Sequence, residues 1–164
     1  MSGLPAGVDE IDRPRRPLLG WTAAVAAAVV VVDQVTKTLA VDRLSDGMVP
    51  IVWTLRLNLA FNSGLSFGQG RGLTTYITVL GVVLVVVLVV WSRHLVQPTM
   101  ALAVALVIGG ASGNLADRLF RDHGGAVVDF IDLQWWPVFN VADMAVSTGA
   151  ALLILSTLRH PGEE

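Results

Sequence analysis

Long apolar stretches separated by polar connections dominate the hydrophobic pattern of the chain. The clearest one, at residues 73–92, contains no charged residue. A bilayer core needs roughly 20 consecutive apolar residues per helical span, so this stretch predicts a transmembrane helix. Comparable stretches predict spans at about 17–41, 73–92, 98–119 and 138–158. The chain is therefore predicted to be an all-α membrane protein with four transmembrane helices.

The connections between the predicted spans differ in length. Those at 42–72 and 120–137 are long, whereas the one around Arg93 and His94 is short. Long connections in compact proteins are usually functional or disordered. The first contains an apolar, β-branched segment at 51–57, which predicts a strand before a turn at 62–64. We therefore expect a small β-sheet on the membrane surface, in the first outer connection.

The two ends of the chain are predicted to lie outside the helical domain at 17–160. Residues 1–16 are polar, so we expect a mobile cytoplasmic tail, and residues 161–164 form a short C-terminal tail. Three arginines before the first apolar stretch imitate a secretory signal. Acidic residues precede them and no A-x-A site follows, so the first span is predicted to be retained. These arginines favour a cytoplasmic N-terminus by the positive-inside rule, although arginines divide equally between the two sides.

Composition narrows the possible chemistry. Hydrophobic residues make up 54% of the chain and charged residues 15%, which argues against an ordinary soluble domain. The 11 basic and 13 acidic residues are interspersed, so no basic face predicts nucleic-acid binding. The chain has no cysteine, which excludes disulfides, thiolate nucleophiles and cysteine-ligated metals. Any catalysis must therefore use Asp, Ser, His or Lys.

Polar residues inside the predicted spans are expected to gather in one layer. They are Asp33 and Lys37 on span 1, Asn114, Asp117 and Arg118 on span 3, and Asn140 and Asp143 near the start of span 4. In an up-down chain, the C-terminal ends of spans 1 and 3 lie on the same side as the N-terminal end of span 4. Ionisable groups in a membrane are costly and indicate a functional site by default.

Helical spacing places these polar residues on shared faces. Asp33 and Lys37 are four residues apart, and Asn140 lies three residues before Asp143. Gly109 and Gly113 form a G-x-x-x-G pair that would let span 3 pack closely against a neighbour. A purely structural role, in which these polar residues only hold the helices together, stays open, and the Asp33–Lys37 pair fits that role best.

Two serines lie in short patterns typical of nucleophiles. Ser112 in GASG resembles the rhomboid-protease pattern, and Ser66 in GLSFG fits a G-x-S-x-G elbow. A serine needs a base at the same depth, whereas the histidines at 94, 123 and 160 lie outside the spans. We interpret Ser112 as a packing residue and Ser66 as a turn residue.

Acidic residues at the outer end offer a metal hypothesis. Asp117, Asp122, Asp129 and Asp132 could ligate Mg²⁺ in principle. The sequence has no H-E-x-x-H and no paired-aspartate transferase motif. We therefore expect no metal and no cofactor, and interpret the acidic loop residues and His123 as solvated.

A pair of carboxylates remains as the candidate chemistry. Asp129 lies in an apolar run at 127–131, which we expect to dip back toward the bilayer, and Asp143 lies at the start of span 4. Two aspartates in one half-buried layer suit an aspartic protease, because close carboxyls share one proton. The ionised partner then activates water while the other donates a proton to the carbonyl oxygen.

Five motifs in order resemble those of the signal peptidase II family, the bacterial lipoprotein signal peptidases. They are DQVTK at 33–37, FNSG at 61–64 continued by FG at 67–68, GNLADR at 113–118, VVDFID at 127–132 and FNVAD at 139–143. The resemblance covers nearly the whole chain after residue 16. The chain departs from the family at Leu65 and Ser66, where alanines are usual, and at Trp136, where Phe is frequent.

The resemblance implies an intramembrane aspartic endopeptidase that removes signal peptides from diacylglyceryl-modified prolipoproteins, cutting before the lipidated cysteine. Asp129 and Asp143 would form the catalytic dyad. Residues that would bind substrate or support the dyad are Asn62, Gly64, Asn114, Arg118 and Asn140, with Asp33 and Lys37 as a structural polar pair in the surrounding site.

The resemblance further implies a β-sheet cradle on the outer face of the bacterial inner membrane, with both termini cytoplasmic. The expected partners are lipid-modified prolipoproteins and membrane lipids, with no nucleic acid, and the expected state is a monomer. The alternative is a non-enzymatic small transporter or assembly factor. Transporter folds usually show internal repeats and broken helices, which are not evident in this sequence.

Overall fold

Four helices carry the apolar stretches in a computed structural model that describes residues 17–64 and 71–159. They are α1 (Leu19–Leu44), α2 (Arg71–Ser92), α3 (Pro98–Phe120) and α4 (Val141–Arg159). Each is long and apolar enough to cross a membrane. The prediction of four transmembrane helices is therefore confirmed, and the helices begin and end within three residues of the predicted span limits. The predicted tails at 1–16 and 161–164 lie outside the described residues.

Helix α3 is the centre of the bundle and packs against α1, α2 and α4. In the most apolar 18-residue stretch of α3, 56% of the residues are buried, compared with 6% in that of α2. Pro98 begins the helix, where its fixed φ suits the first turn and its missing N–H breaks no helical hydrogen bond. The polar residues of α3 are therefore enclosed by the other helices, while most of the described side chains of α2 are exposed on the outside of the bundle.

Glycines on α3 let its neighbours approach closely. A Cβ on Gly109 would lie 2.7 Å from the Cβ of Val29 on α1, and one on Gly113 would lie 2.5 Å from Asp33 Oδ2. Gly110 faces the other way, where a Cβ would collide with the carbonyl oxygen of Ala142 on α4. Any side chain at these positions would separate the helices. The glycines thus bring the polar residues of α1, α3 and α4 together.

A three-stranded antiparallel sheet lies beside the helical ends. Its strands, in spatial order, are β1 (Val49–Val52), β2 (Leu55–Asn62) and β3 (Val127–Asp132). The prediction of a small β-sheet is therefore confirmed, although a hairpin turn divides the segment at 51–57, which was expected to form a single strand, between β1 and β2. Trp53 occupies the turn with φ 54, a conformation that Gly or Asn usually supplies, so the sequence carries no turn signal there.

The run at 127–131 also differs from the sequence-based expectation. It forms strand β3 rather than a loop that dips toward the bilayer, and it pairs with β2 so that Asp129 lies opposite Ala60. Phe130 packs with Ala40 and Leu44 of α1 in a small apolar cluster. This contact holds the sheet over the C-terminal end of α1 and fixes the position of Asp129.

Candidate active site

Asp143 is held at the N-terminus of α4 by a capping box. Its backbone N–H donates to Asn140 Oδ1 at 2.9 Å, and its own Oδ2 accepts from the backbone N–H of Asn140 at 3.1 Å. Reciprocal bonds of this kind satisfy two donors that the first helical turn leaves free. The positive end of the helix dipole favours a negative charge at this position. The local sequence N-V-A-D therefore places the carboxyl group of Asp143 at the start of α4.

The other oxygen of Asp143 is bound from α3. Asn114 Nδ2 donates to Asp143 Oδ1 at 2.9 Å, while Asn114 Oδ1 accepts from Asn140 Nδ2 at 3.1 Å. Asn114 therefore ties α3 to α4 and fixes the orientation of the carboxylate.

Asp129 receives two side-chain hydrogen bonds, one on each oxygen. Asn140 Nδ2 donates to Oδ1 at 2.6 Å, and Asn62 Nδ2 donates to Oδ2 at 3.0 Å. The residue is 1% exposed. Asn140 thus contacts both aspartates, donating to Asp129 through its side chain and exchanging capping bonds with Asp143.

Burial raises the pKa of the Asp129 carboxyl to about 6. The hydrogen bond from Asn62 opposes this rise, and the nearby charge of Asp143 adds to it. Removing a carboxylate from water disfavours its charged form, as does a neighbouring negative charge. Asp129 is therefore the aspartate with an increased tendency to hold a proton.

Gly64 closes the turn that presents Asn62. Its backbone N–H donates to Asn62 Oδ1 at 2.8 Å, and its φ of +81° suits glycine. A Cβ there would lie 2.8 Å from Ile77 Cδ1 on α2 and 3.7 Å from Arg118 Nη2 on α3. The absence of a side chain at this position lets β2, α2 and α3 meet beside Asp129.

Arg118, which lies beside Gly64, has a buried hydrogen-bond donor without a partner among the described residues. Its Nη1 donates to the Asn114 carbonyl oxygen at 3.5 Å, whereas its buried Nε has no hydrogen-bond partner among the described residues. Its charge interacts with both Asp129 and Asp143. A buried unpaired donor costs free energy, so Arg118 is suited to binding a group that is supplied by a ligand.

Lys37 lies at the centre of a buried ionic cluster. Its Nζ lies 2.9 Å from each of three acceptors, which are Asp33 Oδ2, Asp117 Oδ2 and Asn114 Oδ1. Lys37, Asp33 and Asp117 are all 0% exposed. The polar pair expected at Asp33 and Lys37 is therefore part of a larger cluster that includes Asp117.

The ionic cluster also fixes the elements that carry the two aspartates. Asp33 Oδ1 accepts from the backbone N–H of Ala142 at 2.9 Å, next to Asp143. Asp117 Oδ2 accepts from the backbone N–H of Val128 at 3.0 Å, next to Asp129. Each carboxylate of the cluster thus holds the backbone immediately before one member of the pair.

Other predicted polar residues lie elsewhere. Asp132 binds Arg56 at 2.7 Å, and this hydrogen bond lowers the pKa of the Asp132 carboxyl. Asp122 is exposed. His123 was expected to be solvated, but its ring packs on Phe61 with centroids 4.6 Å apart. Among residues 17–64 and 71–159, no group of three or more metal-ligating side chains could hold an ion. Ser66 lies outside the described residues.

An open cavity of about 290 Å³ gives access to Asp129. It lies between the end of β2 and the segment before α4. Its lining residues are Ala60, Phe61, Asn62, Ser63, Asp129, Pro137 and Val138.

Together, the fold and the site define a multi-pass membrane protein with two aspartates, linked by shared amides, at one end of its helical bundle. The family model for signal peptidase (SPase) II matches residues 25–159, and the chain belongs to this family of aspartic peptidases. The resemblance and the enzyme class predicted from the sequence are confirmed.

Relatives in several bacteria carry the name lipoprotein signal peptidase. The chain is 41% identical to that of Mycolicibacterium smegmatis over 98% of this chain and 74% of the relative. It is 44% identical to that of Mycobacterium avium over 90% of this chain and 83% of the relative. A bacterial membrane enzyme solved by the in meso method has a TM-score of 0.80 and 26% identity, covering 93% of this chain and 98% of that chain. The chain is thus a multi-pass bacterial membrane protein.

Proposed function

We propose that this protein removes the signal peptide from diacylglyceryl-modified prolipoproteins, cutting immediately before the lipidated cysteine. The observation that carries the proposal is the arrangement of Asp129 and Asp143, which are linked through Asn140 in a layer at the end of the bundle. The names of the relatives support the substrate class. Membership of a peptidase family does not favour the alternative of a transporter or assembly factor.

The two aspartates have different environments, which support different roles. Asp143 accepts from the Asn114 amide and the Asn140 backbone at a helix N-terminus, so it serves as the carboxylate. Asp129 is buried on strand β3 and has a raised pKa, so it serves as the carboxylic acid. Aspartic peptidases require this combination of one ionised and one protonated carboxyl.

The reaction follows from these roles. Asp143 takes a proton from a water molecule while the water oxygen attacks the scissile carbonyl carbon. Asp129 gives its proton to the carbonyl oxygen. In the resulting gem-diol, Asp129 takes back a hydroxyl proton while Asp143 gives its proton to the leaving nitrogen, and the C–N bond breaks. Both aspartates return to their starting states, and the free Nε of Arg118 serves to position the substrate backbone.

The lipid-exposed surface supports a substrate that stays in the membrane. Helix α2 exposes most of its apolar side chains. An apolar signal helix and acyl chains would remain in lipid beside such a surface, while the scissile bond reaches the polar layer. The proposal places the site toward the outer face of the inner membrane, with both termini cytoplasmic. It treats the protein as a monomer whose partners are prolipoproteins and lipids.

Cleavage should depend on the lipid of the substrate. Purified protein in detergent or lipid should cleave a precursor that carries a diacylglyceryl cysteine and leave the unlipidated precursor nearly untouched, because the polar layer lies at the ends of lipid-facing helices. Mass spectrometry of the products should locate the cut before the cysteine. Equal cleavage of both precursors would rule out the lipoprotein-specific function.

Activity and stability should both decline as pH rises through about 6. Above this pH, Asp129 is ionised, and kcat/KM should fall because the proposed acid is lost. A raised pKa also means that folding favours the protonated form, so stability is greatest below the unfolded pKa of about 3.9 and falls toward pH 6. Thermal unfolding across this range should show the decline in the wild type and a smaller one in Asp129→Asn. Equal declines in the two proteins would contradict this assignment.

A further inference from the structure

Arg121 joins the end of α3 to α1 by several hydrogen bonds. It follows the last residue of α3, and its side chain is 18% exposed. Its Nη2 donates to the carbonyl oxygen and Oε1 of Gln34, each at 3.2 Å, and to Thr38 Oγ1 at 3.0 Å. Its Nε donates to Asp117 Oδ1 at 2.9 Å. Arg121 does not belong to the site predicted from the sequence.

Asp117 connects Arg121 to the strand that carries Asp129. One oxygen of Asp117 accepts from Arg121 and from Gln34 Nε2 at 3.0 Å. The other accepts from Lys37 and from the backbone N–H of Val128. Because Asp117 is fully buried, its orientation depends on these partners. Replacing Arg121 is therefore expected to change the hydrogen bond that Asp117 accepts from the backbone N–H of Val128, directly before Asp129.

Charge counting gives Arg121 a second role. When Asp129 is protonated, the negative groups of the layer are Asp33, Asp117 and Asp143, and the positive groups are Lys37, Arg118 and Arg121. The two sets are equal, so the layer is neutral in the state that the mechanism requires. Without Arg121 it would carry one excess negative charge, which disfavours ionisation of any neighbouring carboxyl.

We propose that Arg121 is a positioning residue for the reaction, which acts on Asp129 through Asp117 and supplies the charge that keeps the polar layer neutral. This inference rests on the proposed catalytic role of Asp129. Among the described residues, Arg121 makes no direct hydrogen bond to Asp129 or Asp143.

The charged groups that face Asp129 come from three helices. They are Lys37 on α1, Asp117 and Arg118 on α3, and Asp143 on α4. On the neighbouring strand, Asn62 is uncharged and Arg56 binds Asp132 at the far end of β3. Residues 74–92 of α2 contain no Asp, Glu, Lys, Arg or His. Loss of Arg121 thus leaves Lys37 and Arg118 as the cations of this environment.

The test titrates the Asp129 carboxyl in the full-length protein in detergent by infrared difference spectroscopy. The band is assigned by its loss in Asp129→Asn. Arg121→Gln should raise the titration midpoint by roughly half to one pH unit, the size expected for the loss of a unit charge about 12–24 Å away at an effective dielectric of about 20. Arg121→Lys keeps the charge and should stay close to the wild type. Arg43→Gln, which removes an exposed cation near the end of α1, is the matched control and should cause no shift.

A merely structural role would lower the folded yield of Arg121→Gln without moving the midpoint, and that result would overturn the inference. So would equal shifts in Arg121→Gln and Arg121→Lys. If Arg121→Gln does not fold, the double variant Asp117→Asn/Arg121→Gln restores neutrality and keeps an oxygen acceptor for Val128, so its midpoint should match the wild type. A shift comparable to that expected for Arg121→Gln would contradict charge balance.

A second readout separates this inference from the proposed function. The alkaline limit of kcat/KM for the lipidated precursor should move upward with the infrared midpoint in Arg121→Gln. If the wild type cleaves no precursor but the infrared shift occurs, the proposed function fails and the coupling stands. If the wild type cleaves the precursor but neither quantity shifts, the coupling fails and the proposed function stands.

Discussion

Asp129→Asn and Asp143→Asn should each lower the turnover of a lipidated precursor by at least ~100-fold, the lower range of general acid–base catalysis. Asparagine keeps the size of the side chain and can still accept a hydrogen bond, so the helix cap and the strand should form. It cannot take up or release the proton that the mechanism passes between substrate and enzyme. Initial rates measured by mass spectrometry, with folding checked by thermal unfolding, give the comparison.

Asp132→Asn is the matched control for this experiment. Asp132 lies on the same strand as Asp129 but binds Arg56 outside the polar layer, so its replacement should leave turnover close to the wild type. Retention of more than about a hundredth of wild-type activity by a folded Asp129→Asn or Asp143→Asn protein would remove that residue from catalysis.

The positions of the helices and of the polar layer could be predicted because both depend on local spacing. Apolar length determines the spans, and up-down topology brings the C-terminal ends of α1 and α3 to the start of α4. The three-residue spacing of Asn140 and Asp143 is also a local signal, since it is the spacing of a capping box. These features require no knowledge of distant contacts.

The sheet and the wider polar network could not be predicted in the same way. The hairpin turns at Trp53, a residue without a turn preference, and β3 pairs with β2 across more than sixty residues of sequence. Lys37 finds Asp117 eighty positions away, and Arg121 contacts Gln34 across 87 positions. Arg121 also lies beyond the predicted end of span 3, outside the polar residues expected within the spans. Such partners follow from the tertiary fold rather than from spacing.

The close packing that the glycines of α3 allow could be predicted only in part. Their spacing is visible in the sequence, but the residues that pack against them are known only from the fold. Gly113 lies so close to Asp33 that any side chain would displace the carboxylate that holds Lys37 and the start of α4. The close packing of α1 on α3 and the geometry of the polar layer are therefore a single feature.

Lys37→Met should destabilise the protein by about 3–5 kcal/mol, the usual cost of removing one partner from a buried ion pair. Lys37 is the only lysine in the sequence, and its ammonium forms ion pairs with two fully buried carboxylates. Methionine fills a similar volume but leaves Asp33 and Asp117 without this cation. Folded yield and thermal unfolding in detergent would measure the loss, with Arg43→Gln on the same helix as an exposed-charge control.

The triple variant Lys37→Met/Asp33→Asn/Asp117→Asn should recover most of the lost stability, because it removes the stranded charges together with the cation. The two asparagines can still accept from the backbone N–H groups of Ala142 and Val128, which precede Asp143 and Asp129. A triple variant less stable than Lys37→Met would show that the three charges do not act as one cluster. If the triple variant folds, it should also keep part of the cleavage activity, because the cluster holds the backbone before the two aspartates proposed to be catalytic and takes no proton from the substrate.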